Sequence, residues 1–346
     1  MRWGLRRFPL TKRVPLTISR GTTAAVEHLL LEIHHDGLCG RGETGGFDTG
    51  DRHFSSEQLE AELLAWLPCL DGQEPPAPSD WPQWLEQLSP PARCAVDLAW
   101  HDLWAQRLGM PLWRLWGLQP SDCRPTSVTL GLGSVNQMLE RLQRWRGQLP
   151  ATRIKLKLGS PEGLDHDQAL VEALVPQLQG AELQVDANGG WSLEGARRML
   201  PWLAQRGVVL VEQPLAAAPD DGAGFAALQG LAPLPLVADE SCWGVEDLLR
   251  LAPHVQGVNI KLLKCGGLAE AWLMARLARR LGLSLMLGCY SDSGLLNGAA
   301  AQLLPLVEWP DLDSHLNLVD DPFKGLRQQG DLLLPSDLPG LGVLPC

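Results

Sequence analysis

Six charged residues fall in five apolar runs in the second half of the chain. Lys155 and Lys157 lie in IKLKLG (154–159), Asp186 in LQVDAN (183–188) and Glu212 in VLVEQP (209–214). Asp239 lies in PLVADES (235–241) and Lys261 in VNIKLLKCGG (258–267). The three carboxylates are spaced by 26 and 27 residues and are flanked in sequence by the lysines. Any one of these acids alone could be a helix cap or a surface acid. Three in succession, each ending an apolar strand, point to a shared cation. Hard oxygen ligands suit Mg²⁺, which keeps coordination positions for water or substrate.

Lys155 and Lys157 are two apart, so both project from one face of a strand. A free lysine has a pKa of about 10.4, so forming the neutral amine at pH 7 costs roughly 4–5 kcal/mol. A second ammonium nearby lowers that cost, because like charge disfavours protonation. Lys155 would in this way help Lys157 act as a base; alternatively, it contacts a metal ligand or a substrate oxygen. Lys261 lies four strands later. In an eight-stranded barrel it would face Lys157 across the mouth, so that one lysine removes a proton from a carbon and the other delivers one to the opposite face. A metal beside them would stabilise the enolate of a carboxylate substrate. The expected chemistry is racemisation, epimerisation or a related enolate reaction.

These residues need a scaffold that converges strand ends, and the sequence describes one. From about residue 124, strand-like and helix-like runs alternate: TSVTLGL, RIKLKLG, ELQVDAN, VVLVEQP, LVADES, GVNIKLLK, SLMLGCY and EWPDLDSH, with helical segments between them. Eight strands and seven helices in strict alternation imply a parallel sheet, and eight strands favour a closed barrel with its site at the C-terminal strand ends. Residues 1–50 read as strands, with the glycines of DGLCGRGETGG suited to a hairpin and loop. SSEQLEAELLAWL reads as a serine-capped helix, and PPARCAVDLAWHDLWAQRLG as a long amphipathic one.

The chain of 346 residues is long enough for two domains. A net charge of -11 argues against nucleic acid as a partner. Eight scattered cysteines without a CxxC pair suggest reduced thiols and a cytoplasmic location. The basic start MRWGLRRFPL lacks an apolar run after it, so no signal peptide is expected, and no run is long enough to span a membrane. Most of the fourteen tryptophans fall in helix-like segments, where core packing is the expected use. GLGSVN (131–136) is too short a match for a nucleotide loop. Of the eight histidines only His315 falls at a strand end, which argues against a histidine triad or a zinc site.

Taken together, KxK at Lys155 and Lys157, DAN at 186–188, EQP at 212–214, DES at 239–241 and KLLKCGG at 261–267 resemble the enolase superfamily. The likeness is to the branch that holds muconate-lactonizing enzymes, o-succinylbenzoate synthases and dipeptide epimerases. It implies a modified TIM barrel, (β/α)7β, with an α+β capping domain formed by the N-terminal region and the C-terminal tail. The expected divisions are 1–118 (cap), 119–315 (barrel) and 316–346 (tail). The resemblance makes Lys157 and Lys261 the acid/base pair and Asp186, Glu212 and Asp239 the Mg²⁺ ligands. Lys155 joins the catalytic set, while Asn188, Glu240 and Lys264 are expected behind it, Lys264 near Asp239 or Glu240.

Substrate choice is read from DLD at 311–313. Asp311 and Asp313 are two apart and share a face in a strand, so they suit a cation across from the metal. A substrate with a carboxylate at one end and an ammonium at the other, one dipeptide long, fits that polarity, and the resemblance points the same way. The alternative is a Pro-led turn with exposed acids. Arg20 in ISRGT (18–22) resembles a residue of the family's mobile cap loop and could meet an acidic side chain, or it is a surface arginine in a hairpin. GGFDTGDRHF (45–54) departs from the tyrosine- and arginine-bearing loop expected there. Tyr290 and, more weakly, Thr129 are candidates to line the pocket.

The reading is therefore an isomerase: a Mg²⁺-dependent dipeptide epimerase acting by two-base 1,1-proton transfer, with L-Ala-D/L-Glu as leading substrate. N-acylamino acid racemase, o-succinylbenzoate synthase and muconate cycloisomerase are rivals on the same scaffold. A non-catalytic metal-binding structural protein is the rival from another class. The expected partner is a small dipeptide, with neither nucleic acid nor membrane; the sequence leaves a homo-oligomer open.

Overall fold

The computed structural model describes residues 1–218, 221–231 and 233–346. Its N-terminal part is an antiparallel sheet of β1 (Arg2–Ile18), β2 (Gly21–His35) and β3 (Leu38–Gly45), in that order. β1 and β2 stay in register from Arg2↔His34 to Thr11↔Ala25 and resume at Leu16↔Thr23. Between those pairs β1 advances five residues and β2 only two, so Lys12–Pro15 bulge out of the ladder.

The glycines of DGLCGRGETGG divide between two uses. Gly37, at φ 76°, makes the hairpin turn. Gly40 and Gly42 lie within strand β3, where a hairpin and loop were expected. A Cβ on Gly42 would stand 1.8 Å from the Ala95 carbonyl oxygen, and one on Gly40 would stand 2.1 Å from that of Ala99. These glycines let a helix lie directly on the sheet.

That helix is α2 (Pro90–Arg107), preceded by α1 (Ser56–Trp66), whose Ser55 cap and Gln58 form a capping box. The sequence suggests an amphipathic α2, but the structure buries it on both sides. Ala95, Ala99, Trp100 and Leu103 enter the core under the N-terminal sheet, while Cys94, Leu98 and Ala105 enter the barrel core. Its buried acids are satisfied by backbone: Asp97 accepts from Leu268 N–H at 2.5 Å, and Asp102 from Arg41 and Leu341 N–H at 2.9 and 2.8 Å.

The eight anticipated barrel strands form one parallel sheet: β4 (Val128–Leu130), β5 (Arg153–Lys157), β6 (Glu182–Asp186), β7 (Val208–Glu212), β8 (Leu236–Ala238), β9 (Gly257–Ile260), β10 (Ser284–Gly288) and β11 (Trp309–Asp311). Spatial order follows chain order. The seam between β4 and β11 is closed sparsely, by Ser127 N–H to Pro310 O at 2.9 Å and by Leu312 N–H to the Thr126 hydroxyl at 3.0 Å. The outer helices include α3 (Val135–Arg146), α4 (Leu164–Leu174), α5 (Leu193–Ala204), α6 (Asp221–Ala226) and α7 (Val245–Leu251). The sequence puts a helix at 225–232; in the structure it starts earlier and ends at Ala226, and Ala232 lies outside the described residues. Strand β9 stops at Ile260, short of the GVNIKLLK run. Lys261 instead caps the short helix α8 (Leu262–Cys265), which Gly266 and Gly267, at φ 93° and 118°, link to α9 (Leu268–Arg280). α10 (Gly294–Ala301) precedes β11.

The segment beyond 315 touches both parts. Asn317 and Asp320 accept from Val14 and Thr11 N–H at 3.1 and 2.7 Å, and Asp331 O accepts from Thr126 N–H at 2.8 Å. All eight cysteines are free thiols. No described helix is long and apolar enough to cross a membrane.

Candidate active site

The ends of β6 and β7 and the residue just beyond β8 bring Asp186, Glu212 and Asp239 together. One oxygen from each lies within 4.8 Å of the others, and all three residues are fully buried. Such a cluster of bare carboxylates is costly without positive charge. The chain supplies lysines to each: Lys157 Nζ stands 2.6 Å from Asp186 Oδ2, Lys155 Nζ 2.5 Å from Glu212 Oε2, and Lys261 Nζ 2.7 Å from Asp239 Oδ2. Lys264 Nζ reaches Asp239 Oδ1 at 2.6 Å and also its carbonyl. Burial, then the neighbouring charge of Asp186, pushes the Glu212 carboxyl up to about 8. The lysines hold Asp239 well below the usual carboxylate range despite its burial. Three hard oxygens, one of them kept from its normal ionisation by burial and its acidic neighbours, are a donor set that fits Mg²⁺.

Burial alone would lower the pKa of Lys155, but Asp311, Glu212 and Asp186 override it and hold the group well above the usual lysine range. It is thus a permanent cation. Its Nζ also lies 3.4 Å from Asp186 Oδ2, the oxygen that Lys157 grips. Like charge therefore stands beside Lys157, as the KxK spacing suggests.

Two residues that follow the ligands adopt left-handed backbone. Asn188 has φ 43° and Gln213 φ 35°. Such a conformation costs roughly 1–3 kcal/mol and persists only where surroundings fix it. Asn188 N–H donates to Asp186 Oδ1 at 2.8 Å, and its amide reaches Asp186 Oδ2 at 3.2 Å and Glu240 Oε1 at 3.1 Å. Gln213 Oε1 accepts from Asp239 N–H at 2.9 Å, and its Nε2 donates to Ser241 Oγ at 2.7 Å. Asn259 Nδ2 donates to Glu212 Oε1 at 2.7 Å. The sequence reading passed over Gln213 and Asn259. Both carried a signal: Gln213 follows a ligand directly, and Asn259 is two before Lys261 on the same strand face.

The specificity candidates sit as follows. Arg20 lines the cavity, but its guanidinium is engaged by the protein, with Glu240 Oε1 and Asn188 O each at 2.8 Å. Ser19 Oγ joins it on Asn188 O at 3.1 Å. Tyr290 lines the cavity, stacks on Phe47 with centroids 4.3 Å apart, and lies under the Lys261 ammonium at 4.4 Å. Phe47 comes from the atypical 45–54 loop. Asp311 and Asp313 both turn toward β4 and neither lines the cavity. Asp311 accepts from Ser127 Oγ at 2.5 Å and Lys155 Nζ at 2.6 Å, and Asp313 from Thr129 N–H at 2.7 Å. Thr129 contributes that N–H, and its carbonyl accepts from Trp145 Nε1 at 3.0 Å, so it is not a lining residue either. Burial and Asp311 raise the pKa of Asp313, which has no ion-pair partner among the described residues.

The cavity between cap and barrel measures about 280 Å³ and holds Lys157, Lys261 and Asn188 in its wall. A larger groove of about 670 Å³ runs along residues 14–21, past Arg141 and Arg144, but neither Lys157 nor Lys261 lines it. The smaller cavity is the one with the chemistry.

A barrel with an N-terminal cap, an acidic triad and facing lysines defines a class, and comparison with known proteins agrees. Residues 4–117 match the mandelate racemase/muconate lactonizing enzyme N-terminal domain, and residues 137–345 the enolase C-terminal domain-like family. The chain belongs to the mandelate racemase/muconate lactonizing enzyme group of the enolase superfamily. It is 38% identical over 340 residues to a hydrophobic dipeptide epimerase of Roseobacter litoralis, covering 96% of each chain. It is 32% identical to the L-Ala-D/L-Glu epimerase of Bacteroides thetaiotaomicron, covering 95% of this chain and 83% of the relative. Its structure is similar to that of the substrate-liganded L-Ala-D/L-Glu epimerase from Bacillus subtilis, with TM-score 0.91 and 26% identity over 100% and 98% of the two chains.

Proposed function

We propose that this chain is a Mg²⁺-dependent dipeptide epimerase that inverts the α-carbon of the C-terminal residue by two-base 1,1-proton transfer. The observation that carries this reading is the placement of Lys157 and Lys261. They come from strands four apart in the barrel order and grip the two outer carboxylates of the triad, Asp186 and Asp239. A carbon held over the triad has one amine on each face. Asp186, Glu212 and Asp239 would hold the Mg²⁺, which supplies electrostatic stabilisation to the ionised substrate carboxylate. Lys155 stays charged and pulls the carboxyls of Asp186 and Glu212 toward the ionised form. Asn188, Gln213, Asn259 and Lys264 fix the carboxylates in place. Tyr290, backed by Phe47, covers Lys261.

The dipeptide class is supported by relatives and neighbours named as dipeptide epimerases. It is consistent too with an acid beyond β11, Asp313, that has no ion-pair partner among the described residues. L-Ala-D/L-Glu is the leading substrate. The divisions 1–118, 119–315 and 316–346 suit this reading, since the cavity lies where cap strands meet strand ends. Proton NMR of L-Ala-L-Glu with enzyme and Mg²⁺ in D₂O, beside a panel of L,L-dipeptides, tests it. Loss of the C-terminal α-proton signal with appearance of the L,D diastereomer is expected. No exchange with any dipeptide would remove the reading.

A further inference from the structure

Lys12 has no part in the mechanism above, yet it lines the same cavity as Lys157 and Lys261. It sits in the bulge where β1 leaves its register with β2, and bridges to Leu318 of the C-terminal segment. Bulges next to active sites commonly re-aim a side chain. Lys12 is only 7% exposed. Among the described residues its ammonium makes no hydrogen bond or ion pair. Burial lowers its pKa, an effect that Asp313 and Asp292 oppose without reversing. An enclosed, unpaired ammonium is costly. It is resolved if the group that enters the cavity brings an anion.

The position says which part of a substrate that is. The triad lies at or just beyond the ends of β6 to β8, whereas Lys12 shares the cavity wall with Cys289, just after β10. A dipeptide whose C-terminal carboxylate meets the triad, with its α-carbon between Lys157 and Lys261, extends its N-terminal residue toward Lys12. Among the groups that face the cavity at this end, Lys12 is the base. An N-terminal residue with an acidic side chain brings the charge that matches it.

We propose that Lys12 is a specificity-determining residue that takes the side-chain carboxylate of an N-terminal aspartate or glutamate in the dipeptide. This rests on the dipeptide reading above. A charge-assisted contact of this kind favours the acid over its amide isostere by roughly ten- to a hundredfold. The test compares kcat/KM for L-Glu-L-Ala and L-Gln-L-Ala, in the wild-type chain and in Lys12→Met, with Mg²⁺. The wild type should favour L-Glu-L-Ala by that factor, and Lys12→Met should bring the ratio to about one. A wild-type ratio near one overturns the proposal without need of the variant, and so does a ratio that Lys12→Met leaves unchanged. Turnover of both dipeptides without discrimination sinks this inference alone. Turnover of no dipeptide, here or in the panel above, sinks the dipeptide reading with it.

Discussion

Lys155 and Asp311 are joined at 2.6 Å between the second and the eighth barrel strands. The pair ties the KxK motif to the DLD motif, two features that the sequence suggests for separate jobs. Asp311 acts as a counterion within the catalytic cluster, which leaves Asp313 as the unpaired acid of the two.

Lys155→Met should therefore harm stability as well as turnover. It strips a buried partner from both Glu212 and Asp311. Breaking one side of a buried ionic network costs about 3–5 kcal/mol. Urea unfolding should show a midpoint shift of that order; an unchanged midpoint would contradict the network.

The two lysines should fail differently. Lys157→Ala and Lys261→Ala each lose one acid/base group, worth about 100- to 10,000-fold in epimerisation. Each variant keeps the base on the other face. In D₂O, one should still exchange the α-proton of the L,L diastereomer and the other that of the L,D form, without inversion. Equal loss of exchange for both diastereomers in both variants would argue against a two-base site.

Asn188 holds Asp186 through two hydrogen bonds while Arg20 and Ser19 clasp its carbonyl. Loss of a group that orients a ligand typically weakens metal affinity about 10- to 100-fold. Calorimetric titration of Asn188→Ala with Mg²⁺ should show a drop of that size. Arg20→Met should weaken Mg²⁺ binding too, by a smaller factor. An Arg20→Met chain with normal Mg²⁺ affinity but selective loss of L-Ala-L-Glu turnover would return Arg20 to the role of a substrate clamp.

Asp292 gives a pH signature away from the metal ligands. Burial, then Glu43, pushes its carboxyl up to about 6, against His28, Lys261 and the Tyr290 backbone, which pull it down. Its folded pKa exceeds its unfolded one, so the folded state binds the extra proton between about pH 4 and 6. Stability from this group is present below about pH 4 and is lost as pH rises through 6. Asp292→Asn should match the wild type near pH 4 and gain on it by up to about 3 kcal/mol above pH 6. Urea unfolding at several pH values would reveal the divergence, and parallel curves would refute it.

Much of this site was legible because charge at the end of an apolar strand is conspicuous. Asp186, Glu212, Asp239, Lys157 and Lys261 each break such a run, and strict β/α alternation dictates where those ends meet. What escaped the sequence depends on contacts far apart in the chain. Gly40 and Gly42 read as loop because nothing local announces that Ala95 and Ala99 will press on them. Helix α2 read as amphipathic because the second surface covering it comes from the barrel. Nothing in the sequence marks Lys12, since a bulge is set by register with a partner strand. Gln213 and Asn259 lay inside quoted motifs, but their value lies in which carboxylates they hold.

The sparse seam between β4 and β11 has a consequence for how the protein is made. Ser127, Lys155 and Asp311 meet across it, so the charge balance of the catalytic cluster depends on a strand synthesised more than 150 residues after Lys155. While the ribosome is still making that strand, Lys155 lacks Asp311, and the half-built barrel exposes an open edge. The charge balance of the cluster is complete only once the last strand docks against the first.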